Sequence, residues 1–235
     1  MSIRDALDAA KKGTISYPPE AAIRFAAGTH ETVFEVTNEG TLEAARRLAS
    51  KNPVALNFAS AKHPGGGFLG GAIAQEESIA RSSGLYACIE GDRMYAHHAK
   101  HRDPMYTAWA IYSPAVPVIR DTAGALLEEP HLSGFITSPA PNARVVLERT
   151  PERKPNIATE LAIRVERVLA IAQMHAHDHL VLGAWGCGVF GNDPAVVAEA
   201  FDVALRGKFR GAFVHVVFAI LGEGANLAAF RGRFS

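Results

Sequence analysis

The chain has 235 residues, of which 48% are hydrophobic and 20% are charged. This composition is typical of one large globular domain and excludes a chain that is mainly disordered. Lys and Arg together number 24, as do Asp and Glu, so the bulk charge gives no indication of a nucleic-acid or membrane-surface partner.

Membrane insertion and disulfide bonding are also not indicated. No apolar stretch reaches the roughly 18 residues that a membrane-spanning helix needs. The first residues, MSIRDALDAAKKG, carry charges where a secretory signal would be apolar, so we expect a cytoplasmic protein. Cys88 and Cys187 are far apart and belong to no CxxC motif, which predicts two reduced thiols rather than a disulfide or a zinc site.

The pattern of apolar residues predicts strands and helices that alternate. In chain order, the first half is predicted to contain a helix over 4–12, a strand over 32–37, a helix over 41–50, a strand over 54–58, a glycine-rich loop over 63–71 and a helical segment through Ile79, Ser83 and Tyr86. The second half is predicted to contain strands over 108–112, 115–119 and 134–137, a helix over 157–175, a strand over 180–184, a second glycine-containing loop over 185–193, a helix from Pro194 and a strand over 214–221. Because several strands are apolar almost throughout, we expect an α/β fold with a mostly parallel or mixed sheet covered on both faces.

Two of these helices carry recognisable start signals. Thr41 is predicted to cap the helix in which Glu43 is spaced to pair with Arg46 and Arg47. Asp193 is predicted to cap the helix that follows it, because proline is favoured at a first helical position.

Two glycine-containing loops each follow an apolar strand and precede a helix, which is where ligands bind in open α/β sheets. Their sequences are HPGGGFLGG and GAWGCGVFGND, and the glycines concerned are Gly65, Gly66, Gly67, Gly186 and Gly188. Successive glycines let backbone N–H groups converge on an anion such as a diphosphate, although a single such loop is more often a tight turn. Neither loop is a Walker A or GxGxxG motif, so a nucleoside triphosphatase is not expected. Two loops on neighbouring strands favour a shared diphosphate site.

Adjacent carboxylates follow the first loop, in the segment Gln75-Glu76-Glu77. Acidic residues in a first helical turn offset the helix dipole and need no other function. The loop between the glycine triplet and Gln75 is also long enough to fold back and place one carboxylate beside an anion bound by the glycines. Partial desolvation would then raise the pKa of that carboxylate and suit it to act as a general acid.

At this point the chain resembles a known family. The segment PGGGFLGGAIAQEE (64–77) resembles the GGG-x(6–8)-QEE signature of poly(ADP-ribose) glycohydrolases. Four segments are similar to the compact microbial branch of that family: NFASAKHPGGGFLGGAIAQEESIARSSGLY, which surrounds the signature, YSPAVPVIRD, TSPAPN and GAWGCGVFGN. The resemblance runs from about residue 32 to residue 218.

The resemblance implies one macrodomain-like catalytic domain over 1–235, a three-layer α/β/α fold with a central mixed, mostly parallel sheet. It implies that Glu77 is the catalytic acid and base and that Glu76 holds ribose hydroxyls. It also implies that Asn57 and Phe190 lie near the terminal ribose. The substrate-binding residues expected on this basis are Asn57, Gly65, Gly66, Gly67, Gln75, Gly186, Cys187, Gly188, Val189, Phe190 and Asn192.

The activity implied is hydrolysis of the ribose–ribose bonds of poly(ADP-ribose), with release of ADP-ribose at chain ends and reversal of ADP-ribosylation in the DNA damage response. The expected partners are poly(ADP-ribose) or other ADP-ribosylated macromolecules as substrate and ADP-ribose as product. We expect no metal, no cofactor, no covalent intermediate, no sequence-specific nucleic-acid binding and a monomeric state. Two alternatives stay open: removal of single ADP-ribose groups from protein or nucleic acid, and a non-catalytic ADP-ribose-binding domain.

Several other features are predicted to be structural. Two histidine groups, 97/98/101 and 175/177/179, invite a metal interpretation but lack completing ligands and are expected to be solvated. Cys187 is expected to be a small residue beside phosphate rather than a nucleophile. Trp109 and Trp185 are expected in the core, and Tyr106 or Phe68 is a candidate for the adenine end.

Overall fold

Strands and helices alternate along the computed structural model of the protein, which describes residues 2–235. The strands are β1 (Ile15–Tyr17), β2 (Val33–Thr37), β3 (Val54–Phe58), β4 (Ala110–Arg120), β5 (Leu126–Ser138), β6 (His179–Leu182) and β7 (His215–Ala219). The helices are α1 (Ile3–Gly13), α2 (Thr41–Arg47), α3 (Gln75–Ser82), α4 (Leu85–Ile89), α5 (Arg93–His101), α6 (Ala143–Arg149), α7 (Asn156–Met174), α8 (Pro194–Arg206) and α9 (Ala225–Phe234). Within residues 2–235, no helix is long and apolar enough to span a membrane.

The strands form one mixed sheet in the order β1-β4-β5-β3-β6-β7-β2. The run from β5 to β2 is parallel throughout, whereas β4 is antiparallel to both β1 and β5. The central strands β3 and β6 are almost entirely buried, as near-continuous apolar strands are when both sheet faces are covered. The expected mixed, mostly parallel sheet is therefore confirmed.

Helices cover the two faces of the sheet and bury a separate apolar cluster on each. On one face α7, α8 and α9 contribute Leu161, Phe201 and Phe230 to the larger cluster. On the other face α2 to α5 contribute Leu42 and Ile79, among others, to the second cluster. This is the three-layer arrangement expected from the sequence.

Several predicted elements are confirmed with small changes of boundary. The helix predicted over 157–175 is α7, whose apolar stripe is buried. The helix from Pro194 is α8, and the Asp193 side chain accepts a hydrogen bond from the Ala195 N–H, as a helix cap does. The strands predicted over 32–37, 54–58, 180–184 and 214–221 correspond to β2, β3, β6 and β7.

The start and pairing of α2 differ from the prediction. Gly40, not Thr41, occupies the capping position, and no side chain caps the helix. Thr41 Oγ1 instead accepts a hydrogen bond from the Gln75 side chain. Arg47 forms ion pairs with Glu35 of β2 and with Glu39 of the loop before α2 rather than with Glu43. The Glu43 carboxylate instead accepts a hydrogen bond from the Thr122 hydroxyl. Tertiary partners thus replace the local ones.

The strands of the antiparallel edge also differ from the prediction. The two strands expected over 108–112 and 115–119 are one strand, β4, with a register shift between Ser113 and Val116, where Ala115 adopts a φ of 43°. The strand expected over 134–137 is the end of β5, which begins at Leu126. The first half of β5 is mostly exposed and contains Pro130, so it lacks the apolar signal of a strand. The short β1 and the helices α5, α6 and α9 had no prediction.

Candidate active site

The two glycine-containing loops lie side by side because the strands that precede them are neighbours. β3 and β6 pair in parallel, with Val54 opposite Leu180, so the loops after both strands leave the same edge of the sheet. A cavity of about 540 Å³ lies between them. Among the predicted site residues, its walls include Gly66, Gly67, Gln75, Glu76, Glu77, Gly186, Gly188, Val189 and Phe190.

The two glutamates of α3 are both buried and both held by backbone N–H groups. Glu76 is 4% exposed and its Oε2 accepts a hydrogen bond of 2.6 Å from the Ser60 N–H. Glu77 is 8% exposed and its Oε1 accepts a hydrogen bond of 2.9 Å from the Gly67 N–H. In the described part of the chain, the second oxygen of each carboxyl group has no hydrogen-bond partner. Each carboxyl therefore has one oxygen held by a backbone N–H group and one buried oxygen without a protein partner.

Burial changes the protonation state of Glu76. Desolvation raises the pKa of its carboxyl to about 8, and the charge of Glu77 adds to this shift. The hydrogen bond from the Ser60 N–H, together with the nearby Asn57 side chain and Gly65 backbone, acts in the opposite direction. At neutral pH Glu76 is therefore mainly protonated and can donate as well as accept a hydrogen bond. The carboxyl whose pKa burial raises is thus that of Glu76, whereas the family resemblance implies Glu77 as the acid.

The glycine triplet packs against the carboxyl groups. Gly66 has a φ of 63°, and a Cβ there would lie 2.2 Å from Glu77 Oε1 and 3.1 Å from Glu76 Oε2. Gly65 has a φ of 70° and lies against Phe68 rather than at the cavity wall. The N–H of Gly67 is already bonded to Glu77. The triplet therefore positions the acidic pair, besides any contact it makes with an anion.

Gln75 and Asn57 are the two amide side chains next to the acidic pair. The Gln75 amide accepts from the Phe58 N–H and donates to the Leu56 carbonyl and to Thr41, so it ties the start of α3 to the end of β3. Asn57 is fully buried, and its amide donates to Thr137. Gln75 lines the cavity, whereas Asn57 lies behind Glu76.

The second loop is closed by its own side chains. Gly186 has a φ of 72°, and a Cβ there would lie 2.5 Å from Asn192 Nδ2. Asn192 is buried and donates to the Pro141 and Gly186 carbonyls, so it holds the loop shape rather than lining the cavity. Gly188 faces open space, and Val189 is 69% exposed at the rim.

Cys187 and Phe190 point to different environments within that loop. The Cys187 side chain packs against the apolar core, and burial raises the pKa of its thiol to about 12. A neutral thiol is a poor nucleophile. Cys187, predicted to bind substrate, does not line the cavity. Phe190 lines the cavity, and its ring lies 5.9 Å from the Tyr106 ring, centroid to centroid.

Some residues at the cavity were missed from the sequence. They are Phe58, Ala59, Ser60, His63, Ala74, Ala140, Ala184 and Trp185. Ser60 acts through its backbone N–H, so its residue type did not identify it as a site residue. Its position just after the strand predicted over 54–58 could have identified it. A second cavity of about 380 Å³ shares Phe58 and Gln75 with the first and extends toward Gly40 and Leu221.

The histidine groups are partly different from the expectation. His98 is buried, not solvated, and bonds Thr107. His177 is also buried and bonds Tyr112. Residues 2–235 contain no cluster of three or more His, Cys, Asp or Glu side chains that would hold a metal ion. Trp109 and Trp185 lie in the core as expected.

Comparison with known proteins identifies close relatives. A family model described as the catalytic domain of microbial-type PARG matches residues 1–121. The poly(ADP-ribose) glycohydrolase of Deinococcus radiodurans, solved in complex with ADP-ribose, is 47% identical, with a TM-score of 0.93 and 97% of each chain covered. The glycohydrolase of Thermomonospora curvata is 52% identical, with a TM-score of 0.90, 98% of this chain and 89% of that chain covered. The same enzyme bound to the inhibitor ADP-HPD is 51% identical, with a TM-score of 0.87, 98% of this chain and 88% of that chain covered. No curated protein matches the chain.

Proposed function

The chain belongs to the microbial-type poly(ADP-ribose) glycohydrolase family, and we propose that it releases ADP-ribose from poly(ADP-ribose) with Glu77 as general acid and base. The observation that carries this proposal is the acidic pair, which is buried at the wall of one cavity with one oxygen of each carboxyl held by the glycine loop or its flank. Relatives solved with ADP-ribose support that ligand. We propose one catalytic domain over residues 1–235.

The choice of Glu77 rather than Glu76 as acid and base rests on the family resemblance, since each carboxyl has one held oxygen and one without a protein partner. The Gly67 N–H holds Oε1, which leaves Oε2 to protonate the departing 2′-oxygen and then to accept a proton from the attacking water. General acid–base help of this kind contributes a factor of about 10² to 10⁴ in rate. The neutral thiol of Cys187 offers no nucleophile, so water is the attacking group in this proposal.

Glu76 is proposed to bind the ribose. Its Oε2 is fixed by Ser60, and its Oε1 has no protein partner among residues 2–235. A protonated carboxyl can donate one hydrogen bond to a sugar hydroxyl through that oxygen. Since its pKa is about 8, this donor is present at neutral pH and is lost as the pH rises through that value.

The remaining parts of ADP-ribose would follow the strand ends. The diphosphate lies between the two glycine loops, where Gly186 and Gly188 let the backbone approach it closely. The adjoining cavity near Gly40 and Leu221 is large enough to receive the adenosine. Release from chain ends belongs to the same proposal and rests on the resemblance to the compact microbial branch.

The test compares wild type with Glu77→Gln, and with Glu129→Gln as a control at an exposed position of β5. We measure release of ADP-ribose from poly(ADP-ribose) and calorimetric affinity for free ADP-ribose. Loss of a general acid should lower turnover by about two orders of magnitude while the affinity changes by less than about 1 kcal/mol. The control should match wild type in both assays.

Two other outcomes would replace the proposal. A wild-type protein that binds ADP-ribose but releases none from any substrate is a binding domain. A wild-type protein that releases ADP-ribose from a mono-ADP-ribosylated protein and none from polymer is a mono-ADP-ribosyl hydrolase. If Glu77→Gln keeps the turnover of wild type, the assignment of the acid is wrong.

A further inference from the structure

We propose that Tyr106 is a positioning residue of this active site, held in a strained backbone conformation so that its ring fixes Phe190 at the cavity wall. The inference rests on the proposed function, because Phe190 shares that cavity with Glu77. It adds a residue that does not line the cavity, in a connection outside both glycine loops.

The backbone of Tyr106 is unusual for a bulky residue. Its φ is 56°, in the left-handed region, where a side chain with a Cβ costs about 1–2 kcal/mol. Such conformations persist only where the surroundings determine them, and they cluster at functional sites. Glycine would adopt this conformation without that cost. Contacts of the Tyr106 backbone and side chain must therefore offset this cost.

A buried arginine holds the backbone on both sides of Tyr106. The guanidinium of Arg164 donates to the Met105 carbonyl at 2.6 Å and to the Thr107 carbonyl at 3.2 Å. Arg164 is fully buried in α7, and its charge is paired with Glu160 at 2.9 Å. A buried charge is costly unless it is paired and fully hydrogen-bonded, so this guanidinium tolerates little displacement of the two carbonyls.

A buried histidine holds the same connection through Thr107. His98 Nε2 accepts the Thr107 N–H at 3.1 Å and lies 2.8 Å from Thr107 Oγ1. Because a backbone N–H can only donate, Nε2 must carry no proton. Desolvation lowers the pKa of His98 to about 4, which keeps the ring neutral and the acceptor available. The His98 ring also meets the Tyr106 ring edge-on at 5.5 Å.

The aromatic contact then passes from this fixed connection to the cavity. The rings of Tyr106 and Phe190 lie 5.9 Å apart at 45°, within the range of favourable aromatic pairs. The Phe190 carbonyl is held separately by the Arg144 N–H at 2.9 Å, so the backbone of Phe190 is fixed as well as its ring. Tyr106 and its clamp thereby limit where the Phe190 ring can stand.

The experiment uses Tyr106→Gly, Tyr106→Phe, Phe190→Ala and the double variant Tyr106→Gly/Phe190→Ala, assayed for kcat and KM on poly(ADP-ribose). Ala176→Gly is the matched control, since Ala176 also has a left-handed backbone, with a φ of 55°, and lies next to the buried His177 outside the cavity. Thermal unfolding of each variant verifies the fold.

We expect Tyr106→Gly to lower kcat about tenfold, because small misplacement of a wall group misaligns the reacting atoms, while KM changes less than about threefold. Tyr106→Phe should restore kcat to within about twofold of wild type, since the ring makes the contact. In the Phe190→Ala background, Tyr106→Gly should have no further effect, because residues that act through each other are not additive. Ala176→Gly should match wild type.

Two results would overturn the inference: a kcat of Tyr106→Gly equal to that of wild type, or an equal loss with and without Phe190. If wild type releases no ADP-ribose from polymer, the proposed function fails separately. The position of the Phe190 ring is then compared in crystal structures of wild type and Tyr106→Gly. A displaced ring supports the positioning role, and an unmoved ring refutes it.

Discussion

Replacement of Gly66 by alanine tests whether the glycine triplet exists to position the acidic pair. The new Cβ would lie 2.2 Å from Glu77 Oε1, 2.8 Å from its Cδ and 3.1 Å from Glu76 Oε2. An ordinary contact between carbon and oxygen is about 3.3 Å or longer. The Glu77 carboxyl must therefore move by about 1 Å, away from the Gly67 N–H that now holds it.

The size of the effect follows from that displacement. A misplacement of about 1 Å can lower the rate of catalysis about 10²-fold. The left-handed backbone at Gly66, with a φ of 63°, adds a cost of about 1–2 kcal/mol in folding free energy that is separate from the collision. We therefore expect kcat to fall about 10²-fold and the free energy of unfolding to fall by at least about 1–2 kcal/mol.

Gly71→Ala separates the collision from the backbone strain. Gly71 has a φ of 85°, but no atom lies within 4 Å of the position that its Cβ would take. Both variants are assayed for release of ADP-ribose under single-turnover conditions and for unfolding in urea. Gly71→Ala should lose comparable stability and keep its turnover. The reasoning is refuted if Gly66→Ala keeps the wild-type turnover, or if Gly71→Ala loses as much.

Two further predictions concern stability. Gln75→Met removes the acceptor of the Phe58 N–H and the donor to the Leu56 carbonyl. The free energy of unfolding, measured in urea, should therefore fall by about 2–4 kcal/mol. A loss below about 0.5 kcal/mol would show that water forms hydrogen bonds with these two backbone groups in the variant. The pKa of His98 is about 4 in the folded protein and about 6.5 in the unfolded chain. Between these two pH values the unfolded chain therefore binds more protons than the folded protein, so the free energy of unfolding falls as the pH drops from about 6.5 to about 4. Between pH 7 and pH 4, wild type should lose up to about 3 kcal/mol more than His98→Gln, and equal losses would contradict a neutral buried His98.

The acidic pair shows how far sequence reasoning reaches at the site. The spacing of the triplet from Gln75-Glu76-Glu77 identified the loop, the helix and the two carboxyl groups, because these features all lie within residues 65–77. It did not distinguish the two glutamates by pKa. Burial depends on Ser60, Asn57 and the packing of the loop, so the raised pKa of Glu76 emerges only in the folded chain.

In the fold, too, some elements could be predicted from local sequence and others depend on contacts between distant segments. Local signals predicted the apolar strands β3 and β6, the stripe of α7 and the cap at Asp193, since each depends on neighbouring residues. The edge strand β5 was predicted only at its apolar end, because its exposed half is stabilised by pairing with β4 rather than by its own composition.

By itself, the sequence determined the alternating α/β pattern, the two glycine loops after apolar strands and the presence of an acidic pair beside one loop. Only the tertiary structure decided the order of the seven strands in the sheet, which N–H groups bind the carboxyls and where the Tyr106 ring lies. Local propensity and spacing act over a few residues, whereas these contacts join segments far apart in the chain. Their free energy comes from burial and hydrogen bonding that exist only after the chain has folded.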